Sequence, residues 1–136
     1  LGERVTLLRQ SGFELRSLGD TVRIRPVETL EEYDQVLALR YDAYSNVGKV
    51  LPGATAGMMA DLADDHSTIL VATIGGAIAG TVRVVRCQKG TDRFPFEDHV
   101  AMPRSLSDRR HALMEISKLA VLPELQGTDL VLRLFQ

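Results

Sequence analysis

The alternation of apolar and polar positions along the 136-residue chain predicts the element order β, α, α, β, β, β, α. Residues 21–27 alternate apolar and basic side chains as in a half-buried strand, and Pro26 indicates a sheet edge or a strand end. A helix is expected after Thr29, a good N-cap, with Glu32 completing a capping box. Apolar residues then recur at helical spacing through Tyr44.

The clearest local prediction is a β-hairpin. Residues 68–74 and 77–87 are rich in β-branched side chains, and Gly75-Gly76 joins them. Glycine supplies the positive φ angles that a tight hairpin turn needs, so this pattern is typical of two antiparallel strands.

The other elements are marked less strongly. Residues 54–64 are expected to form a short helix, and residues 88–110 are polar and irregular. The last strand is expected over residues 114–122, with a helix beginning near Thr128. Together these elements favour an α+β fold, in which helices cover the faces of a mixed sheet.

Composition and charge are those of one soluble domain. A content of 45% hydrophobic and 25% charged residues suits a packed globular chain. We assign the domain to residues 21–136, after an N-terminal extension of residues 1–20. A net charge of −2 argues against a general nucleic-acid or membrane-surface binder. No apolar run approaches the ~20 residues of a membrane span. Neither a nucleic-acid partner nor a membrane span is therefore expected.

The cysteine content and the chain ends add two expectations. A lone Cys87 excludes an internal disulfide framework, and its apolar strand predicts a buried core thiol, which suits a cytoplasmic setting. The chain lacks an initial Met and ends at Gln136 inside what resembles an unfinished helix. We therefore expect part of a longer protein, with the C-terminal part of the fold missing.

Residues 114–135 carry the strongest functional pattern: a strand, a Gly-containing turn and a helix. The free N–H groups and the dipole of a helix start attract phosphate. Within this stretch, residues 121–127 resemble the acyl-donor loop of the GNAT acyltransferases, in which small residues normally follow at two further positions. Asp129 and Val131 stand there instead. The turn is therefore matched, but the glycine cradle for a pyrophosphate is not.

Further motifs resemble a narrower group with this fold, the acyl-homoserine-lactone synthases and the long-chain N-acyl amino acid synthases. The matching residues follow the order and spacing of that group over most of residues 21–135. They are Leu39, Arg40 and Tyr44, then Asp61 and Asp64, then Gly80-Thr-Val-Arg83, then Glu115-Ile-Ser117-Lys118-Leu119. Lys118 replaces an arginine of the group and Leu119 a phenylalanine, and the group's usual tryptophan is absent.

The resemblance implies a GNAT-fold N-acyltransferase that moves an acyl group from a thioester to an amine such as an amino acid. No bound cofactor or metal is expected. The donor would be acyl-CoA or an acyl carrier protein, and a carrier protein would explain Asp129 because it lacks the long nucleotide of CoA. The missing tryptophan favours an N-acyl amino acid over a homoserine lactone as the product. The donor-binding positions implied are Leu119, Ala120, Val121, Gln126, Gly127 and Thr128.

Glu115 is the first catalytic candidate. A carboxylate in an apolar strand is costly to bury unless it is paired or used. An amine must lose a proton to attack a thioester, so Glu115 could act as the general base, directly or through water. The alternative is a purely structural ion pair with Arg83 or Lys118. Because Glu115 and Lys118 face opposite sides of a regular strand, a pair with Lys118 would need a bulge.

Arg83 is the second catalytic candidate, as a clamp for a carboxylate or for Asp61 and Asp64. The alternative is an arginine on a solvated strand face. Asp61 and Asp64 could share one side of a helical turn and bind the acceptor amine, or pair with Arg40 and Arg83, or simply be solvated acids. The other substrate-binding candidates are Arg40, Tyr44, Ser117 and Lys118. For Arg40 and Tyr44 the alternative is that both only pack in the core, with the charged end of Arg40 reaching the surface.

Two alternative functions stay open. Gln126-Gly127 favours an ordinary acetyl-CoA-dependent N-acetyltransferase, against which Asp129 and Val131 count. A catalytically inactive GNAT-like module that binds a ligand or a partner would be favoured if Glu115 were held in a salt bridge away from any cleft.

The basic side chains that could meet an acidic carrier protein are Arg104, Arg109 and Arg110, unless they belong to a solvated loop.

Overall fold

The computed structural model describes residues 15–87 and 93–136, together with positions 6, 10 and 12. Within them four strands form one sheet in the order β1-β2-β3-β4. The strands are Val22–Pro26 (β1), Ser67–Ile74 (β2), Ala77–Arg86 (β3) and Met114–Val121 (β4). The helices are Leu30–Asn46 (α1), Arg104–Ser107 (α2) and Leu130–Leu134 (α3). No helix in these ranges is long and apolar enough to cross a membrane.

The predicted α+β class is confirmed, with two local differences. All neighbouring strands run antiparallel, so the described sheet is not mixed. Among the described residues, a parallel pairing occurs only in the isolated bridge between Arg16 and Thr128. Residues 54–64 do not form one helix but the 3₁₀ turns Ala56–Met59 and Leu62–His66. Asp61 divides them because its side chain accepts the N–H of Ala63, a local bond that competes with helix continuation.

The edge strand and the first helix are joined by side-chain hydrogen bonds. Thr29 accepts the N–H of Glu32 at 3.2 Å, as the capping pattern predicts. The Glu32 carboxylate accepts the N–H of Glu28 at 2.9 Å and forms a two-point ion pair with Arg25 of β1. Strand β1 lies at the sheet edge, which agrees with the position of Pro26.

Helices α1 and α3 cover opposite faces of the sheet. On one face, Leu39 and Ala43 of α1 pack with Ala120 of β4. On the other, the side chains of α3 pack against β2 and β3; this core contains Ala72, Ala79, Val82, Leu130 and Leu134. Gly80 allows this close approach, because a Cβ there would lie 3.2 Å from atoms of α3.

Candidate active site

Two arginines converge on one buried carboxylate on the α1 face of the sheet. Arg40 Nη1 donates to Asp64 Oδ2 at 2.7 Å, and Arg83 Nη1 donates to Asp64 Oδ1 at 3.3 Å. The Tyr33 hydroxyl donates to Oδ2 at 2.8 Å. Arg40, Arg83 and Asp64 are only 0%, 2% and 8% exposed. Asp64 therefore compensates two cations that water does not reach.

These contacts decide several alternatives left open by the sequence. Arg83 does not lie on a solvated strand face, and Arg40 does not snorkel to the surface. Asp64 is not a solvated helix-end acid. Charged side chains can be buried in these apolar elements because each one contacts a side chain of opposite charge.

Asp61 continues the arrangement toward solvent. Its Oδ1 lies 3.2 Å from Arg83 Nη1, and its Oδ2 lies 3.2 Å from Lys118 Nζ. The side chains of Asp61 and Lys118 are each 31% exposed. Asp61 is the extended N-cap of the 3₁₀ turn that contains Asp64. Both carboxylates contact the same Arg83 Nη1, so they share one side as predicted. Asp61 and Lys118 form the accessible end.

A bulge in β4 brings Lys118 to this face. Thr81 pairs with Ala120 and Arg83 pairs with Ser117, so Lys118 and Leu119 oppose a single residue of β3. Lys118 has a φ of 53°, a left-handed conformation that non-glycine residues rarely adopt. The bulge turns its side chain toward Asp61. The ion pair suggested between Glu115 and Lys118 does not form, although the bulge it would need is present.

Glu115 lies beside Ser117 and Arg83 on the same face. Its Oε1 is 4.0 Å from Arg83 Nη2, and its Oε2 accepts the N–H of Phe96 at 3.1 Å. Arg83 Nε donates to Ser117 Oγ at 3.1 Å, which fixes the guanidinium between the two. We call Arg40, Asp61, Asp64, Arg83, Glu115 and Lys118 the ion cluster. Of its three carboxylates, Glu115 has the longest contact with a cation.

Neighbouring groups shift the pKa values of Asp61 and Asp64 in the ion cluster and of the adjacent Tyr33. Burial raises the pKa of Asp61, but the Ala63 N–H, Lys118 and Arg83 outweigh it and lower the pKa to about 2. Burial is likewise outweighed at Asp64 by Arg40 and Tyr33, so its pKa is lowered. Burial and the nearby Asp64 raise the pKa of Tyr33 to about 12. At neutral pH the two aspartates are therefore charged and the tyrosine is neutral.

We expect acid to destabilise the protein through Asp61 and Asp64. The folded-state pKa of Asp61 lies below its ordinary value of 3.8. Its contribution to stability is therefore complete above that value and is lost as the pH falls toward about 2. Urea unfolding across this range measures the effect. Asp61→Asn should be less stable than the wild type at neutral pH and lose less stability on acidification; equal losses in the two proteins would contradict the assignment.

Tyr44 lies one turn from Arg40 but belongs to the core. It packs against the cluster of Leu39, Ala43 and Ala120. Burial raises the pKa of its hydroxyl. Its predicted contact with substrate stays a prediction.

The donor loop differs from the expected anion site. Helix α3 begins at Leu130 rather than near Thr128. Thr128 N–H donates to Leu125 O at 3.2 Å, Asp129 N–H to Arg16 O at 3.0 Å, and Leu130 N–H to Thr128 Oγ1 at 3.3 Å. The expectation that the N–H groups at this helix start are free for phosphate is therefore wrong for these three residues.

Asp129 has a structural role that the sequence pattern did not predict. Its carboxylate is buried and accepts the Leu18 N–H at 3.0 Å, Arg133 Nη2 at 2.9 Å and the Ser17 hydroxyl at 3.3 Å. Burial is outweighed by these donors, so its pKa is lowered. Asp129 thus holds residues 16–18 against the loop.

The other predicted donor-binding residues divide by exposure. Leu119 and Val121 pack partly buried on the α3 side, and Ala120 is buried on the α1 side. Gln126 and Gly127 are exposed. Among the described residues, β4 is the last strand of the sheet, so one side of its backbone has no strand partner.

The loop before β4 contains contacts that sequence reasoning missed. The backbone of Phe96 contacts Glu115, and no sequence pattern marks a backbone donor. Arg110 was grouped with residues that could meet a carrier protein, but it forms a two-point ion pair with Glu97. Arg104 and Arg109 are exposed. No group of three or more His, Cys, Asp or Glu residues in the described ranges could hold a metal ion.

Comparisons with known proteins identify the family of the chain and a similar fold. The family model of the N-acyl amino acid synthase FeeM matches residues 35–136, which include the whole ion cluster. The solved structure of FeeM, an N-acyl amino acid synthase from uncultured soil microbes, is similar with a TM-score of 0.59 and 18% identity. The likeness covers 84% of this chain and 60% of that one, and it confirms the GNAT-type fold. No curated protein matches. The chain belongs to the family of the N-acyl amino acid synthase FeeM.

Proposed function

We propose that this protein transfers a fatty acyl group from a thioester to the amine of an amino acid, giving an N-acyl amino acid and a free thiol. The ion cluster is the observation that carries the proposal. It places Glu115 beside a strand edge, with its carboxylate 4.0 Å from Arg83 Nη2. The other terminal nitrogen of Arg83 contacts Asp61, which forms a partly exposed ion pair with Lys118. The family of the chain supports the same chemistry.

The accessible end of the ion cluster suits a zwitterion. Lys118 takes the carboxylate of the amino acid and Asp61 takes its ammonium group, replacing the 3.2 Å contact that the two side chains make with each other. The ion cluster contains three cations and three carboxylates, so it is neutral overall. A zwitterion adds no net charge to it, which keeps the cost of binding low.

Glu115 acts as the general base in this proposal. It removes one proton from the ammonium group and releases that proton to solvent. The neutral amine then attacks the thioester carbonyl and a C–N bond forms; Glu115 takes the second proton from the nitrogen as the C–S bond breaks. The departing thiolate takes up this second proton. Arg83 orients Glu115 through its guanidinium and is itself fixed by Ser117. Backbone N–H groups are needed to polarise the thioester carbonyl. The N–H of Leu122 donates to Ala79 O at 3.0 Å, so we assign that role to the edge of β4 that has no strand partner among the described residues.

An acyl carrier protein fits the donor loop better than CoA. Three N–H groups of the loop have acceptors within the chain, and the Asp129 carboxylate lies where a glycine would let a pyrophosphate approach. The loop therefore offers few free hydrogen-bond donors to the diphosphate of CoA. A carrier-bound pantetheine arm lacks that diphosphate. Arg104 and Arg109, exposed before β4, supply positive charge for an acidic carrier.

The experiment compares donors that differ in their carrier or in their acyl group. A long-chain acyl group on acyl carrier protein, the same group on CoA, and acetyl-CoA are each offered with a panel of amino acids, and thiol release is followed. We expect kcat/KM to be at least about tenfold higher with the carrier protein than with either CoA ester. Turnover with acetyl-CoA alone would indicate an ordinary acetyltransferase. A folded protein that releases no thiol from any donor would indicate a binding module.

A further inference from the structure

A short turn of the loop before β4 lies against Glu115. The 3₁₀ turn Pro95–Asp98 places the Phe96 N–H 3.1 Å from Glu115 Oε2. Arg83, by comparison, lies 4.0 Å from the other oxygen of that carboxylate. The backbone donor of Phe96 is therefore the closer of the two contacts, and it fixes which way the carboxylate points.

This turn is held in shape by Glu97. The Glu97 carboxylate accepts the Phe94 N–H at 2.8 Å and receives both terminal nitrogens of Arg110, with Arg110 Nη2 at 3.0 Å from Glu97 Oε2. The Glu97 side chain is only 7% exposed. The Arg110 contact and the Phe94 N–H lower its pKa to about 2, so it is charged under all ordinary conditions.

Apolar packing joins the same residues to the sheet. Phe94 is 2% exposed and packs with Val85 and Cys87, while the Arg110 guanidinium lies 6.0 Å from the centre of its ring. Val85 is the direct partner of Glu115 across β3 and β4. The turn that Glu97 organises is thus packed onto the strand pair that carries Glu115.

We propose that Glu97 and Arg110 are positioning residues for Glu115. Their ion pair sets the Pro95–Asp98 turn, the turn aims the Phe96 N–H, and the N–H holds the carboxylate toward the reacting amine. The inference rests on the proposed function because it takes Glu115 as the base. A misplaced base lowers the rate of the chemical step rather than the affinity for the amino acid.

The test compares two glutamates with matched surroundings. Glu97→Gln should lower kcat about tenfold or more and leave the KM for the amino acid within about twofold. Arg110→Lys should lower kcat similarly, because lysine cannot form the two-point contact. Glu32→Gln is the control: Glu32 also accepts a backbone N–H, pairs with an arginine through two contacts and has a pKa of about 2. An unchanged kcat in Glu97→Gln, or an equal loss in Glu32→Gln, would overturn the proposal.

A second measurement does not depend on activity. The Phe96 amide proton resonance should move upfield in Glu115→Gln, because a neutral amide is a weaker acceptor than a carboxylate. It should move the same way in Glu97→Gln and stay in place in Glu32→Gln. A Phe96 resonance that is unmoved in Glu97→Gln would contradict the positioning role. If the wild type transfers no acyl group, the proposed function fails, and this resonance still decides whether Glu97 holds the contact to Glu115.

Discussion

Replacing Asp64 by asparagine is expected to lower the free energy of unfolding by about 3–5 kcal/mol. Arg40 and Arg83 both donate to Asp64 and are almost fully buried, so the change leaves two cations with weakened compensation. That loss is a large share of the ~5–15 kcal/mol that stabilises a typical domain. Urea unfolding at neutral pH, followed by circular dichroism, measures it.

Two further variants test the cause of this loss. Asp61→Asn removes a carboxylate whose side chain is 31% exposed and should cost about 1 kcal/mol or less. If Asp64→Asn does not fold, Arg40→Met combined with Asp64→Asn should recover part of the stability, because it removes one of the two cations left without a full partner. Equal losses at Asp61 and Asp64, or a double variant no more stable than Asp64→Asn, would show that charge compensation is not the cause.

Replacing Glu115 by glutamine is expected to lower kcat by about 10²–10⁴-fold, the usual contribution of a general base. Glutamine keeps the shape of the side chain and can still accept the Phe96 N–H, so the fold should be preserved. The KM for the amino acid should change little, because Asp61 and Lys118 bind it in our proposal. Thiol release from acyl carrier protein measures both constants.

The control for this variant is Glu31→Gln, which neutralises an exposed carboxylate near the start of α1. Its kcat should equal that of the wild type. A Glu115→Gln protein that keeps more than half of the wild-type kcat would remove Glu115 from the mechanism. The role of the ion cluster in stability would be unaffected by that result.

Much of the ion cluster could be predicted from the sequence. Some of its residues are close in sequence, and the order of the motifs named the others. Asp61 and Asp64 are three residues apart, and the pairing of both with Arg83 was among the alternatives that the sequence left open. The hairpin turn at Gly75-Gly76 and the cap at Thr29 depend on neighbouring residues only, so they too could be predicted.

Other features depend on contacts between distant parts of the chain. Ser17 and Asp129 meet across 112 positions of sequence, so no local pattern could show that the donor loop carries an N-terminal segment. The left-handed Lys118 is a second case, because a lysine gives no indication of a conformation normally taken by glycine. Such strained residues occur often at functional sites, where the surrounding contacts maintain them.

The most direct test of the central claim is mass spectrometry of the reaction product. The intact protein is incubated with a long-chain acyl carrier protein and an amino acid, and the N-acyl amino acid is quantified for wild type and Glu115→Gln. We predict the amide product with the wild type and a loss of about a hundredfold or more with the variant. A wild-type protein that forms no amide from any donor, or a variant that forms it equally fast, would contradict the account.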